Sequence, residues 1–513
     1  MSNQISNNKR IAKNTLMLFF RMALLMLVSL YTSRVILNAL GVEDYGIYNV
    51  VGGFVAMFSI ISGSLSAAIS RFITFELGKG GDSKENEVFS TSVIIQLLIA
   101  LIVFVLSETI GVWFLNNYLT IPTGRIIASN WVFQFSIITF VVNLISVPYN
   151  ATIVAHEHMS AFALIGILES LLRLLISYLI FISPIDKLIF YSLLMCLSSV
   201  LMRLIYGVYC RKHFSESKFC WCFNKSLFKE IFSFAGWNFI GAGAGVLRNQ
   251  GVNVLLNMFC GPVVNASRGI AMQVTSAVQQ FTNSFTTALN PQITKSFAAG
   301  DRDYSFKLVF QGAKLSYVLL YLLSLPIILE APTILKLWLG VVPDYSVIFV
   351  QLVLIYGLSE SISNTMITLM LATGNIRNYQ ILVGGCQMLN FPLSYILLKV
   401  GFPPQSTFVV SICIALLCLL LRIYMLKRMV SLPFGAFLRN VVFRVFLISV
   451  VSLFLPLSFI VYMEPSLLRL LYTIIVSIIS VVFFALVLGC TTNERKFILR
   501  KAHAIIKSKL SKG

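Results

Sequence analysis

The chain has 513 residues, of which 58% are hydrophobic and 11% are charged, and its mean hydropathy is +0.88. Soluble domains are about 45–50% apolar and about 25% charged, so this composition excludes an ordinary cytosolic enzyme, a disordered chain and a secreted disulfide scaffold. The 39 Lys and Arg against 19 Asp and Glu give a net charge of +20. In a membrane chain such an excess is typical of cytoplasmic loops and gives no reason to expect nucleic acid.

Apolar runs recur along the whole sequence, and each is long enough to cross about 30 Å of hydrocarbon. They predict an all-α integral membrane protein of about fourteen transmembrane helices. The predicted spans are 14–37, 47–69, 88–107, 127–147, 161–182, 187–209, 231–258, 263–290, 306–329, 345–372, 378–398, 406–426, 439–461 and 466–488.

The cations set the predicted topology. With the N-terminus inside, the inner loops and tail hold 25 cations, whereas the outer loops hold four. The positive-inside bias therefore predicts that both termini are cytoplasmic. The first apolar run is too long for a cleavable signal peptide and carries Arg21.

A weak internal repeat relates spans 1–2 to spans 7–8. Val35, Leu37 and Asn38 match Val254, Leu256 and Asn257 at an offset of 219, while Gly41 matches Gly261 at 220 and Asp82 matches Asp301 at 219. Parallel repeats in transporters relate two lobes with the substrate site between them. We expect two pseudo-symmetric six-helix bundles at 1–212 and 213–430, a helix pair at 431–490 and a basic cytoplasmic tail at 491–513.

Polar stripes repeat at the same offset. Ser59, Ser62, Ser66 and Ser70 lie on one face of span 2, and 220 residues later span 8 carries Gln279, Thr282, Thr286 and Asn290. Span 8 also carries Asn283 among further polar residues. Polarity of this kind is expensive against lipid, so it indicates either a helix that lines a wet cavity or hydrogen bonding between packed helices.

Ten cations lie within or at the ends of the spans. Arg173 follows Glu169 by one turn, which predicts an ion pair. Arg34, Arg203, Arg422, Arg444 and Arg469 lie near helix ends, and for the last four we expect snorkelling to the membrane surface.

Four intramembrane cations have no acidic residue within a turn on their own helix; these are Arg21, Arg248, Arg268 and Lys314. Each costs roughly 2.5–3.5 kcal/mol at the bilayer centre. They require a wet cavity, an acid on another helix, neighbouring carbonyls or an anionic ligand.

The run Arg248-Asn249-Gln250 continues with Asn253 and Asn257, which places a polar face beside an arginine. Because the guanidinium fork suits phosphate oxygens, we expect a phosphate-bearing substrate with a polar, neutral remainder. The predicted substrate-binding residues are Arg21, Arg34, Arg248, Asn249, Asn253, Asn257, Arg268, Gln279, Asn283 and Lys314, and the predicted ion-coupling residues are Glu169 and Glu360. We expect no catalytic residue, no metal and no cofactor.

The segment Leu40–Tyr48, "LGVEDYGIY", resembles the polysaccharide transporter family of bacterial O-antigen flippases. The resemblance continues in "FSFAGWNFIGAGAG" from Phe232 and in "LNPQITKSFAAGD" from Leu289. The family belongs to the superfamily of the MATE multidrug exporters and the lipid II flippase. The resemblance implies two six-helix bundles, alternating access and export of an undecaprenyl-diphosphate-linked oligosaccharide across the bacterial inner membrane. It also implies partnership with membrane lipids and with a polysaccharide polymerase and chain-length regulator.

Two other functions stay open at this point. A MATE-type exporter would use an acidic residue in its N-terminal lobe, whereas span 1 offers Arg21 and Arg34. A membrane-embedded oligosaccharide polymerase or glycosyltransferase would need a large outer loop or a soluble domain, and the sequence predicts neither. The driver is either the membrane potential or an H⁺ or Na⁺ gradient.

Overall fold

A computed structural model describes residues 24–59, 69, 72–73, 85–156, 158–220, 224–230, 232, 243, 245–373, 377–489 and 495. The predicted site residue Arg21 lies outside these residues, and so do Ser62, Ser66, Ser70, Asp82 and most of the Phe232–Gly245 segment. Within the described part every regular element is a helix. An all-helical chain is one of the two ways to satisfy backbone polar groups in lipid.

The main helices of the described residues are numbered here in chain order. In chain order they are α1 (Leu24–Leu40), α2 (Val42–Ala56), α3 (Glu85–Asn117), α4 (Thr123–Ala155), α5 (Ser160–Ile182), α6 (Lys187–His213), α7 (Val252–Cys260), α8 (Pro262–Ala298), α9 (Arg302–Leu329), α10 (Ala331–Leu339), α11 (Ser346–Ala372), α12 (Arg377–Val400), α13 (Ser406–Val430), α14 (Phe434–Tyr462) and α15 (Leu467–Gly489).

Length and apolarity qualify ten of the described helices as membrane spans, or eleven when the pair α1–α2, bent by 118°, counts as one span. The all-α membrane fold is therefore confirmed, whereas the total of fourteen is not. Much of predicted span 7 lies outside the described residues, and α8 is the polar helix that carries the stripe of Gln, Thr and Asn. The short helix α10 had no counterpart among the predicted spans.

The chain divides into two compact units. Unit 1 comprises residues 1–270, 338–344 and 390–404, and unit 2 comprises 271–337, 345–389 and 405–513. The sequence-based division into lobes at 1–212 and 213–430 stays a prediction.

The core of unit 1 is formed by close packing of α2, α4 and neighbouring helices. Ile47, Val50 and Val51 of α2 are fully buried, and they share a cluster with Val132 and Phe133 of α4. Because lipid tails are as apolar as these side chains, van der Waals packing rather than exclusion from water holds such helices together. The cluster also includes Val254, so α7 packs against the same core.

In unit 2, α14 and α15 pack against each other and against α9. Polar contacts reinforce the packing, because Tyr321 of α9 donates a hydrogen bond from its hydroxyl to the carbonyl oxygen of Ser449 at 2.9 Å. The hydroxyl of Tyr317 lies 2.7 Å from the hydroxyl of the same serine. The last two helices are therefore built into unit 2.

Candidate functional site

The two glycines matched by the internal repeat form equivalent elbows in unit 1. Gly41 separates α1 from α2 with a φ of 82°, and Gly261 separates α7 from α8 with a φ of 81°. The amide of Gly41 donates to Leu37 and that of Gly261 donates to Asn257, both at 2.9 Å. This backbone region is essentially restricted to glycine. The elbows agree in conformation and hydrogen bonding, which supports the repeat in this part of the chain.

The helices that follow the elbows touch through their backbones. A Cβ added at Gly46 of α2 would lie 1.9 Å from the carbonyl oxygen of Pro262, the first residue of α8. One added at Gly269 would lie 3.0 Å from the side-chain oxygen of Asn49. Small residues allow such close approach of membrane helices. The contact fixes the first turns of α8, where Arg268 lies, against α2.

Amide side chains form a network beside this contact. Asn265 donates from Nδ2 to the backbone oxygen of Asn253 at 2.7 Å and to its Oδ1 at 2.8 Å, and Asn253 donates to the carbonyl of Asn49 at 3.2 Å. The buried Asn257 accepts from the amide of Thr120 at 2.9 Å. The described residues therefore contain the polar face predicted on span 7. The side-chain amides of Asn253 and Asn257 form hydrogen bonds with other groups of the protein.

Arg248 and Asn249 lie in a five-residue π-helix, Leu247–Gly251, directly before α7. Arg268 of α8 is 6% exposed and donates from its guanidinium to the backbone oxygen of Asn249 at 3.0 Å. The structure thus places two of the predicted substrate-binding residues, Asn249 and Arg268, in contact, and a third, the half-buried Arg248, directly precedes Asn249 in the chain. π-Helical turns are rare and are frequent at functional sites.

The remaining predicted cations and amides lie elsewhere. Arg34 is exposed on α1. In unit 2, Lys314 of α9 donates from Nζ to the carbonyl of Gly489 at 3.0 Å, and Arg444 donates to the same oxygen at 3.3 Å. The amide nitrogen of Gln279 would lie 3.1 Å from a Cβ added at Gly357, so Gln279 packs against that glycine. The side chain of Asn283 lies outside the described part of the chain.

The two predicted ion-coupling acids have different surroundings. Glu169 pairs with Arg173 at 2.6 Å on the exposed side of α5, which confirms the predicted pair. Glu360 of α11 lies 3.7 Å from Arg422 of α13, whose side chain is 1% exposed. Glu360 is therefore the more enclosed of the two.

The prediction that Arg422 and Arg469 snorkel is wrong. Both are buried, and each faces an acid from another part of the chain: Glu360 on α11 for Arg422, and Glu330 at the C-cap of α9 for Arg469. Arg469 of α15 donates from Nε and Nη2 to the carboxylate of Glu330 at 2.7 and 2.9 Å, and Glu330 is fully buried. A helix-end position permits snorkelling but does not require it, and the partner acids come from segments distant in sequence.

Two further polar groups in unit 1 were missed by the sequence reasoning. Arg125, at the start of α4, donates to Asp44 at 2.7 Å and pairs with Asp186 as well. Glu108 lies in a π-helix within α3 and accepts from Gln134 of α4 at 3.0 Å. Spacing gives no signal for either group, because each partner lies on a different helix.

Asp186 lies outside the spans, at the N-cap of α6. Partial burial raises the pKa of its carboxyl, but hydrogen bonds from Arg125 and from the amides of Ile189 and Leu188 outweigh burial and hold that pKa below its usual value of 3.8. Asp186 is therefore a carboxylate at neutral pH and joins the starts of α4 and α6 through Arg125.

These features define a multi-pass, all-α membrane protein with a polar, arginine-bearing face inside unit 1. The polysaccharide biosynthesis protein family matches residues 11–297, more than half of the chain, and the chain belongs to this family. The resemblance seen in the sequence is thus confirmed at the level of a polysaccharide transporter family.

Similar proteins agree with this assignment. The uncharacterized membrane protein EpsK of Bacillus subtilis (strain 168) is 21% identical over 326 residues, a region that covers 63% of either chain. The lipid II flippase MurJ in an inward closed conformation aligns over 93% of this chain and 98% of its own, with a TM-score of 0.65 at 15% identity. The MATE multidrug transporter DinF-BH aligns over 82% of this chain and 95% of its own, with a TM-score of 0.57 at 16% identity. At such identities the structures show a shared fold.

Proposed function

We propose that the protein is a flippase that moves undecaprenyl-diphosphate-linked oligosaccharide repeat units from the cytoplasmic to the periplasmic face of the bacterial inner membrane. The exported units would serve the synthesis of cell-surface polysaccharide such as O-antigen or capsule. The observation that supports this proposal most is the pairing of Arg268 with the backbone of Asn249, beside Arg248, in a chain of the polysaccharide biosynthesis family.

The chemistry of this group suits a diphosphate. Guanidinium forks bind phosphate oxygens in two parallel hydrogen bonds, and burial strengthens the attraction because the local dielectric constant is low. Asn249 holds Arg268 through its backbone, so its own side-chain amide stays available for a polar glycan. A diphosphate would compensate cations whose insertion is otherwise costly.

Alternating access of two lobes is the proposed motion, with the glycan in a cationic central cavity and the lipid tail in the bilayer. A potential negative inside favours outward movement of a negative charge by about 2.3 kcal/mol per 100 mV if the charge crosses the full field. Ion antiport through Glu169 or Glu360 is the alternative driver. Glycan export measured after collapse of the membrane potential, with the ion gradients held constant, distinguishes these two drivers.

The fold also accommodates drug exporters, as the likeness to DinF-BH indicates. We favour the flippase because the family match concerns polysaccharide biosynthesis and because the guanidinium groups of Arg248 and Arg268 suit an anion. Both termini are proposed to be cytoplasmic, and a polymerase and a chain-length regulator are the proposed partners.

The test uses a strain that lacks the gene and is complemented with variants. Arg248→Ala and Arg268→Ala are each expected to reduce export of the lipid-linked glycan at least about thirtyfold, since truncation of a buried charged contact costs about 2 kcal/mol or more. The measurement is the ratio of periplasmic to cytoplasmic lipid-linked glycan at matched protein level in the membrane.

Arg211→Ala is the control because it removes an exposed arginine of the same unit, in the last turn of α6. We expect its export to stay within about twofold of wild type, as surface substitutions usually change the free energy by about 0.5 kcal/mol or less. Unchanged export in Arg248→Ala would exclude the cationic site, and accumulation of a cationic drug in the deletion strain with normal glycan export would favour the exporter.

A further inference from the structure

A groove of about 380 Å³ lies in unit 2 between the beginning of α12 and the end of α13. This volume is within the range of small-molecule sites, about 300–1,000 Å³. None of the predicted substrate-binding residues or of the acids considered for ion coupling lines the groove. The proposed transport mechanism assigns the groove no role.

One wall of the groove is a single face of α13. Tyr424 and Arg428 are one turn apart, and Met425 and Met429 form a parallel pair beside them. The guanidinium carbon of Arg428 lies 4.9 Å from the ring centroid of Tyr424, a cation–π distance that orients the arginine. Methionine side chains adapt to irregular apolar ligands.

The opposite wall comes from α12, where residues Gln380–Gly384 form a π-helix. Ile381 and Leu382 of this segment are 59% and 51% exposed and line the groove. Asn378, one turn nearer the beginning of α12, adds a polar group. Both walls therefore become polar toward the helix ends and apolar one turn deeper, which is the polarity profile of a lipid with its headgroup at the membrane surface.

The charge around the groove favours an anion. No Asp or Glu occurs between Glu360 and Glu464, whereas that stretch carries Arg377, Lys427 and Arg428 at the groove's end of the two helices. In the described part of the chain, Arg428 contacts the Tyr424 ring and has no ion pair. The cation bias predicts this end to be cytoplasmic, and the cytoplasmic leaflet is the anionic one.

We propose that this groove binds one anionic phospholipid, with the phosphate on Arg428 and Asn378 and an acyl chain against Ile381, Leu382, Met425 and Met429. The site would be a permanent lipid contact of unit 2, distinct from the transported substrate. The inference does not depend on which molecule the protein transports.

The test measures binding of dioleoylphosphatidylglycerol to the purified full-length protein in detergent by native mass spectrometry. We expect wild type to bind one such lipid more tightly than dioleoylphosphatidylcholine. Arg428→Ala should weaken phosphatidylglycerol binding about tenfold or more, because a hydrogen bond to a charged group contributes about 1.5–3 kcal/mol. Ile381→Trp should weaken binding of the same lipid by filling the apolar half.

Two control variants match these changes. Lys427→Ala removes a cation from the adjacent exposed position outside the groove and should change binding about twofold or less. Leu420→Trp adds the same ring to another exposed position of α13 and should leave binding unchanged.

Several outcomes would overturn the proposal. Equal loss in Lys427→Ala and Arg428→Ala would indicate general surface charge, and equal affinity for phosphatidylcholine would remove the anionic class. Equally tight binding of glycerol 3-phosphate would assign the groove to a free phosphate ester. Binding of undecaprenyl diphosphate with no response to phosphatidylglycerol would assign it to the substrate.

Discussion

The buried arginines of the two units, Arg268 in unit 1 and Arg422 and Arg469 in unit 2, differ in what they contact. In unit 2, Arg469 and Arg422 are buried against carboxylates, those of Glu330 and Glu360. In unit 1, the equally buried Arg268 contacts the backbone carbonyl of Asn249, beside Arg248. A carboxylate contact neutralises the charge of an arginine within the protein, whereas a carbonyl contact is a hydrogen bond to a neutral group. Burial alone therefore does not distinguish these two kinds of arginine.

The largest expected effect comes from breaking a neutralised pair. Arg469→Met leaves the fully buried carboxylate of Glu330 without its partner, and we expect the free energy of unfolding in detergent to fall by about 3–5 kcal/mol. Arg268→Met removes a hydrogen bond to a carbonyl and should lower it by about 1–3 kcal/mol. Thermal or denaturant unfolding of both variants measures the difference.

The double variant Arg469→Met/Glu330→Gln is the control, because removal of both charges should recover part of the loss. If Arg268→Met destabilises the protein as much as Arg469→Met, the two kinds of arginine are equally structural and the contrast between the units fails.

A smaller effect is expected at the elbows of unit 1. Gly41→Ala and Gly261→Ala should each lower the free energy of unfolding by about 1–3 kcal/mol, because both positions have a positive φ that strains a residue with a Cβ. The added Cβ would meet nothing within 4 Å at either position, so the loss would report backbone strain and no steric clash. Export should fall further in Gly261→Ala, because Arg268 lies two turns beyond that elbow. Stability and export are measured on the same membranes.

Gly52→Ala serves as the reference, since Gly52 is helical and its added Cβ also meets nothing. We expect it to be neutral or to stabilise by about 0.5–1 kcal/mol. Equal export in both elbow variants would show that the second elbow does not position Arg268.

The smallest effect concerns the partly exposed ion pair of unit 1. The pKa of Asp186 is lowered in the folded protein, so its contribution to stability is present above pH 3.8 and disappears as the pH falls through the folded value. Asp186→Asn should therefore lower the free energy of unfolding by about 1 kcal/mol at pH 7. The free energy of unfolding of wild type and variant is measured at pH 7 and at stepwise lower pH, and a difference that does not shrink as the pH falls would contradict this expectation.

The helices could be predicted because apolar length alone specifies a membrane span. The elbow glycines and the Glu169–Arg173 pair were also predictable, since each depends on local spacing. The partners of Arg422 and Arg469 could not be predicted, because their acids belong to other parts of the chain. Nor could the π-helix at Leu247–Gly251, since its one-residue widening leaves no periodic signal. The substrate-binding assignment of Arg248, Asn249 and Arg268 stays a prediction.

The close contact between Gly46 of α2 and Pro262 of α8 bears on the origin of the internal repeat. If one half arose by duplication of the other, Gly46 corresponds to Ala266 and Pro262 corresponds to Val42. Position 46 requires glycine, because the methyl group of Gly46→Ala would lie 1.9 Å from the oxygen of Pro262, whereas the corresponding position of the second copy holds an alanine. The two copies have thus become complementary and are no longer interchangeable. A chimera in which the second copy replaces the first would inherit this clash, so each half now constrains the further divergence of the other.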